Sequence, residues 1–186
     1  MKSWAQKAVV VAAVLLAVPA FAQEVPVDNE AFGITLPAGF GEFAKQSLST
    51  DSPQGKIETT NYVSKAPTGE AVVVTVSRMP AKIGDPQKLI ASTRDSLVSS
   101  LKATLEAEQN VEGGMPANDF SASTAAVFLK SRLAVLENTL YQVLYVGRSA
   151  EQRAVPAVST MFASFKPKAA HAAAPAAAAP ATTPGE

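Results

Sequence analysis

The sequence predicts an α+β fold: an antiparallel, twisted sheet of about six strands flanked by helices, an α/β/α sandwich. Three observations predict it. Ala125 to Gly147, AAVFLKSRLAVLENTLYQVLYVG, reads as two long strands joined by a polar turn at Glu137-Asn138-Thr139. Lys56 to Met79 holds two more β-rich runs around Pro67-Thr68-Gly69. Ile83 to Glu108 and Ala150 to Ser164 switch to helical spacing, each with one apolar stripe.

The first 22 residues have the layout of a secretory signal. Lys2 and Lys7 make a positive start, and Ala8 to Val18 is a short apolar run. Pro19 breaks that run, and Ala20-Phe21-Ala22 supplies small residues for cleavage after Ala22. The apolar run is about half of the ~20 residues a bilayer-spanning helix needs. The expected address is periplasmic or secreted. The chain has no cysteine, which removes disulfides, thiol catalysis and a Cys-linked lipid anchor. Without Lys2 and Lys7, 14 basic residues face 16 acidic ones, a net charge of −2. Nucleic-acid binding therefore has no electrostatic support, and no polybasic segment would hold the processed chain on a membrane.

Residues 23–30 form a polar lead-in to a single domain at 31–167. Phe32, Ile34 and Leu36 alternate as in a half-buried strand that Pro37 ends. Phe40 to Leu48 is a second candidate strand. In KIETTNYVS, Glu58, Thr60 and Tyr62 fall on one face and Ile57, Thr59, Asn61 and Val63 on the other. Val72-Val73-Val74 has no alternation, so both faces of that strand are expected to be covered. Asp85 is a good N-cap and Pro86 fits the first helical position. Ile90, Leu97, Leu101 and Leu105 then continue one stripe, which predicts an uninterrupted helix of about 22 residues. Asn110 to Asp119 is rich in loop formers, with Val111 to Met115 as a candidate edge pairing. Pro156 suits the first turn of the closing helix. Residues 168–186 are alanine and proline with little else, a disordered spacer by composition.

This order of elements resembles the PsbP-like α/β/α sandwich superfamily. The residues that carry the resemblance are Phe32-Gly33-Ile34-Thr35-Leu36-Pro37-Ala38-Gly39-Phe40, the Val72–Met79 strand and the helix after it. Gly114-Met115-Pro116-Ala117-Asn118-Asp119-Phe120, Tyr141-Gln142-Val143 and Phe162-Ala163-Ser164-Phe165-Lys166 complete it. The resemblance implies an interaction or accessory module without catalysis, and it supplies no active-site motif to carry over.

The chemistry-bearing residues agree with that implication. His171 is the single histidine and lies in the low-complexity tail, where nothing would orient it as a base. Glu106 and Glu108 are two apart and would not share a helix face. Asp119 reads as a turn or backbone cap. Gly113-Gly114 lacks the Lys-Ser/Thr ending of a phosphate loop. No metal or cofactor is expected. The candidate partner-binding residues are Lys130, Arg132, Tyr141, Tyr145 and Arg78. Lys130 and Arg132 share a strand face, as do Tyr141 and Tyr145. Depending on register, the cations meet a tyrosine or run beneath a helix toward the sheet edge. The expected function is a non-enzymatic domain that binds an envelope protein or component. The alternative is a periplasmic carrier of a small anionic or apolar ligand, with Arg132 and Tyr145 as polar contacts.

Overall fold

The structure, a computed structural model, describes residues 24–169. The expected signal peptide, the cleavage point at Ala22, His171 and the tail beyond Ala169 lie outside the described residues. The chain begins with strands β1 (Val25–Asp28), β2 (Phe32–Leu36), β3 (Ala44–Ser52), β4 (Gly55–Lys65) and β5 (Ala71–Arg78). Helix α1 (Pro86–Ser100) follows, then β6 (Thr104–Asn110), β7 (Ala117–Ser123), β8 (Phe128–Leu136) and β9 (Thr139–Gly147). Helices α2 (Ala150–Ala154) and α3 (Pro156–Ser164) and the short strand β10 (Lys166–Pro167) close the domain.

The seven-stranded sheet has the order β3-β4-β5-β9-β8-β7-β6, antiparallel throughout. The β8–β9 hairpin is central, as its two apolar faces require. Its Leu136↔Thr139 register leaves a two-residue loop, in which Glu137 adopts φ 57°. Asn138 docks that loop onto the end of β5. Its Nδ2 donates to the Met79 carbonyl at 2.8 Å, and its own carbonyl accepts the Met79 N–H at 2.8 Å.

Both faces of the sheet are covered. On one, Ile90 of α1 packs with Phe120, Leu133, Val135 and Leu140. On the other, β2 and α3 lay Phe32, Ile34, Leu36, Met161 and Phe162 over Val72, Val74, Tyr141, Val143 and Tyr145. Phe32 is the hub of this second core. It is fully buried and meets Tyr62 edge-on at 5.0 Å, with Phe43 at 5.9 Å and Phe165 at 6.1 Å. Such edge-on pairs add about 1 kcal/mol each beyond the area they bury.

The architecture is the expected α+β sandwich, with five local corrections. The long helix stops at Ser100, and Thr104–Asn110 is a strand at the sheet edge. Lys102 turns the chain with φ 51°. The Lys102 N–H bonds the Ser99 carbonyl at 3.0 Å and the Ala103 N–H bonds the Val98 carbonyl at 2.9 Å, which is a Schellman ending. Glycine normally marks that position; here lysine occupies it, so the helical stripe ran on through the stop. The closing helix is two helices, because Pro156 forces Val155 into an extended conformation (φ −61°, ψ 141°). The second early strand begins at Ala44, four residues later than read, and Val111–Met115 forms no strand. Part of the lead-in is also strand: Val25–Asp28 pairs with β2 and, with β10, makes a three-stranded second sheet.

Lys168, read with the tail, is tied to the domain. Its N–H bonds the Ala31 carbonyl at 2.9 Å, its carbonyl accepts the Tyr141 hydroxyl at 2.6 Å, and its Nζ reaches Asp28 at 2.7 Å.

A non-glycine residue at left-handed φ is strained, and glycine relieves the strain. Lys102→Gly is expected to stabilise the domain by about 1 kcal/mol, read as a higher denaturant midpoint with an unchanged slope. A loss of stability would contradict the helix ending described above.

Candidate functional site

The strand register decides which of the five candidate residues meet. Lys130 stands opposite Tyr145, Arg132 opposite Val143, and Ala134 opposite Tyr141. All lie on the face covered by α3. The two cations nevertheless turn away from the tyrosines. Arg132 Nε and Nη2 form a two-pronged ion pair with Asp119 Oδ1 and Oδ2 at 2.7 and 2.8 Å. Arg132 Nη1 donates to the Phe162 carbonyl, near the end of α3, at 2.6 Å. Lys130 Nζ lies 5.3 Å over the Phe162 ring and 3.3 Å from Ser159 Oγ. Both side chains run beneath α3, the second of the two expected arrangements.

This cluster is a clamp. One guanidinium joins β8, β7 and the last turn of α3 at a largely buried position, its side chain 16% exposed and that of Asp119 11%. Charge-assisted, bidentate geometry is what makes such a bond strong. Asp119 is therefore a strand residue paired across the sheet, not a turn cap.

The tyrosines are buried, at 1% and 2% exposure. Tyr145 Oη donates to the Gln152 carbonyl at 3.3 Å, and Tyr141 Oη to Lys168 as described. Burial raises both phenols, that of Tyr145 to about 12, with the Glu70 carboxylate adding to the rise there. The two polar contacts assigned to a ligand cleft, Arg132 and Tyr145, thus both have internal partners.

Arg78 stands apart. It pairs with Thr139, six residues along β9 from Tyr145, which is about 20 Å at strand rise. It faces Glu58 across the β4–β5 ladder. Arg78, Glu58, Thr60, Tyr62, Lys45 and Glu30 line a polar recess of about 200 Å³. Lys45 Nζ sits 3.2 Å from Glu30 Oε1 and 5.7 Å over the Tyr62 ring. The hydrogen bond to Glu30 raises the Lys45 ammonium above its ordinary value, and Tyr62 adds to the rise.

Sequence reasoning missed this recess, although it carried the signal. The alternation of β4 put Glu58, Thr60 and Tyr62 on one face. Counting outward from the turn at Pro67-Thr68-Gly69 places Arg78 opposite Glu58. Lys45 was hidden because the strand that bears it has no apolar alternation.

The two carboxylates of β6, Glu106 and Glu108, are held in ion pairs. A bulge between Leu105 and Ala107 makes Glu106 the extra residue of β6. Glu106 and Glu108 consequently leave on different sides. Glu106 meets Arg153 and the Ser123 hydroxyl, which hold its carboxyl below the ordinary value, the hydroxyl most. Glu108 meets Arg94 of α1. Among the described residues, no cluster of three or more His, Asp or Glu side chains is placed to hold a metal ion, and no helix is long and apolar enough to cross a membrane.

No protein-family model matches the chain, and no curated protein matches it in sequence. Its structure is similar to the solution structure of cyanobacterial PsbP (CyanoP) from Synechocystis sp. PCC 6803. The TM-score is 0.55 at 12% identity, over 81% of this chain and 96% of that one. The chain therefore has a PsbP-like fold.

Removing one partner of a buried pair strands the other charge. Arg132→Met is expected to cost roughly 3 kcal/mol. Adding Asp119→Asn should cost at least about 1 kcal/mol less than the sum of the single changes. Additive losses in chemical denaturation would show that the clamp is not one unit. Tyr145 gives a pH prediction. A phenol that titrates higher when folded stabilises the fold at every pH below its unfolded value of about 10, and that contribution is lost as pH rises through about 12. Tyr145→Phe should therefore flatten the fall in Tm between those two pH values, and an unchanged alkaline slope would contradict the assignment.

Proposed function

We propose that the chain is an exported, non-enzymatic accessory domain that binds an envelope protein or component through the Arg78 recess. The observation that carries this reading is the contrast between the two ends of the sandwich. Around Tyr141 and Tyr145 the polar groups are paired internally beneath α2 and α3. Around β3 and β4 the sheet extends past its cover, all of Ala44–Asp51 is exposed, and Arg78, Lys45, Glu30 and Glu58 face the solvent side.

A mixed-charge recess beside an aromatic ring suits a protein surface that carries both signs of charge. Such patches fix partner choice and orientation more than raw affinity. The PsbP-like fold supports an accessory role by resemblance. The signal-like leader supports a periplasmic or secreted location, and the net charge of −2 after its removal argues against a nucleic-acid partner.

The carrier alternative loses its assigned contacts, because Arg132 and Tyr145 are committed to Asp119, Phe162 and Gln152.

Crosslinking in the native envelope tests the proposal. The protein should capture a discrete partner, and Arg78→Glu should reduce that capture at least about tenfold, because reversing one charge in such a patch meets like charges. The circular dichroism spectrum should be unchanged. Capture of nothing by a folded protein, or capture indifferent to Arg78→Glu, would reject the recess as the binding face.

A further inference from the structure

The two edges of the seven-stranded sheet are treated differently. At β6 the ladder is interrupted by the bulge at Glu106, and arginines from α1 and α2 clasp the strand through Glu108 and Glu106. Bulges and inward-held charges are the usual means of closing an edge to further strands. At β3 the ladder has no bulge, and the strand's one cation, Lys45, is held only by the exposed Glu30. Nine residues, Ala44–Ser52, pair with β4 in unbroken register and are exposed from end to end except Ser52. The strand contains no proline, and among the described residues one row of its backbone N–H and C=O groups has no strand beside it.

The sequence of that edge is complementary to itself. Let a second copy approach antiparallel about a two-fold axis perpendicular to the sheet through Leu48. Lys45 then stands opposite Asp51 of the other copy, and Asp51 opposite its Lys45. Gln46 meets Thr50, Ser47 meets Ser49, and the two Leu48 side chains meet on the axis. The two members of each pair lie on the same face, as antiparallel partners must, with Lys45–Asp51 and Ser47–Ser49 on one face and Gln46–Thr50 and the Leu48 pair on the other. Leu48, 44% exposed, is one of the large apolar residues left open to solvent, and its twin would cover it. A C2 interface requires this kind of self-complementarity. Moving the axis by one residue in either direction places Lys45 opposite Ser49 or Pro53 and loses both charge pairs.

We infer that β3 is a homodimerisation edge, joining two copies into one continuous antiparallel sheet with the two-fold axis at Leu48. The axis keeps like faces together, so the two Arg78 recesses open on the same side of the joined sheet. Lys45 belongs both to this edge and to the recess, so the crosslink at Leu48, which lines no part of the recess, is what tests the edge independently.

The absence of cysteine makes the test direct. Leu48→Cys in the processed protein, tail included, places a single thiol beside its twin. Directly opposed strand residues have Cα separations of about 4.5–5.5 Å, within disulfide range. Thr50→Cys is the control, because twins two positions off the axis are about 13 Å apart. Under mild oxidation the first variant should form covalent dimer at least about tenfold faster than the second. Sedimentation should show a concentration-dependent dimer. Lys45→Asp or Asp51→Lys should each weaken it about tenfold, and the combined swap should restore it to within about threefold. A monomer at all concentrations, equal crosslinking of the two thiols, or no rescue by the swap would overturn the inference. A monomer with a protected β3 only when envelope extract is added would assign the edge to another protein instead.

Discussion

A strand pair that is apolar on both faces has to be hidden on both, and the rest of this molecule follows from that constraint. β8 and β9 present Leu133, Val135 and Leu140 one way and Tyr141, Val143 and Tyr145 the other. Helix α1 covers the first face. The second needs more cover than α3 alone supplies, and β2 with its buried Phe32 provides it. Because β2 leaves the main sheet to do so, it requires its own strand partners, and β1 and β10 supply them. The three-stranded sheet is thus a consequence of a core requirement.

Polar residues within that second core are tolerated only where a partner is near. Arg132 is the clearest case. A guanidinium on the inward face of a central strand would be costly alone, yet it meets a carboxylate on the next strand and a carbonyl from the covering helix. The position that looked most like a binding site in the sequence is a position where charge holds layers together. The chemistry is the same, two-pronged recognition of a carboxylate by arginine, but the carboxylate belongs to the chain itself.

Much of the fold was legible because hydrophobic periodicity and turn chemistry agree along most of the chain. The β4–β5 and β8–β9 hairpins, the start of α1 at Asp85 and the apolar face of α3 all carry local signals that their surroundings reinforce. Legibility failed where the deciding signal was absent or non-local. Lys102 ends a helix in a conformation that glycine ordinarily advertises. β6 and β3 are exposed strands of mixed polar residues, so no apolar alternation marks them, and Leu105 continued a helical stripe by coincidence. Val25–Asp28 becomes a strand only because β2 lies beside it. The candidate site was half legible: Arg78 was identified, but its companions Lys45 and Glu30 lie on segments whose neighbours the sequence does not announce. Arg132 was expected either against a tyrosine or beneath a helix, and the second holds; its carboxylate partner was not legible, since Asp119 sits 13 residues away across a ladder whose register begins in an irregular loop.

The short sheet also decides how the domain would carry a load. Chain order runs β1 into the Leu36 end of β2, where Val25 pairs, and β10 out past the Phe32 end, where Pro167 pairs. The described chain therefore begins and ends at opposite ends of one strand. A pull between them slides β1 and β10 lengthwise along β2, so their hydrogen bonds and the Lys168 contacts share the force instead of parting one at a time. Under tension between its two ends, the domain would resist in shear, with β2 as the member that bears it.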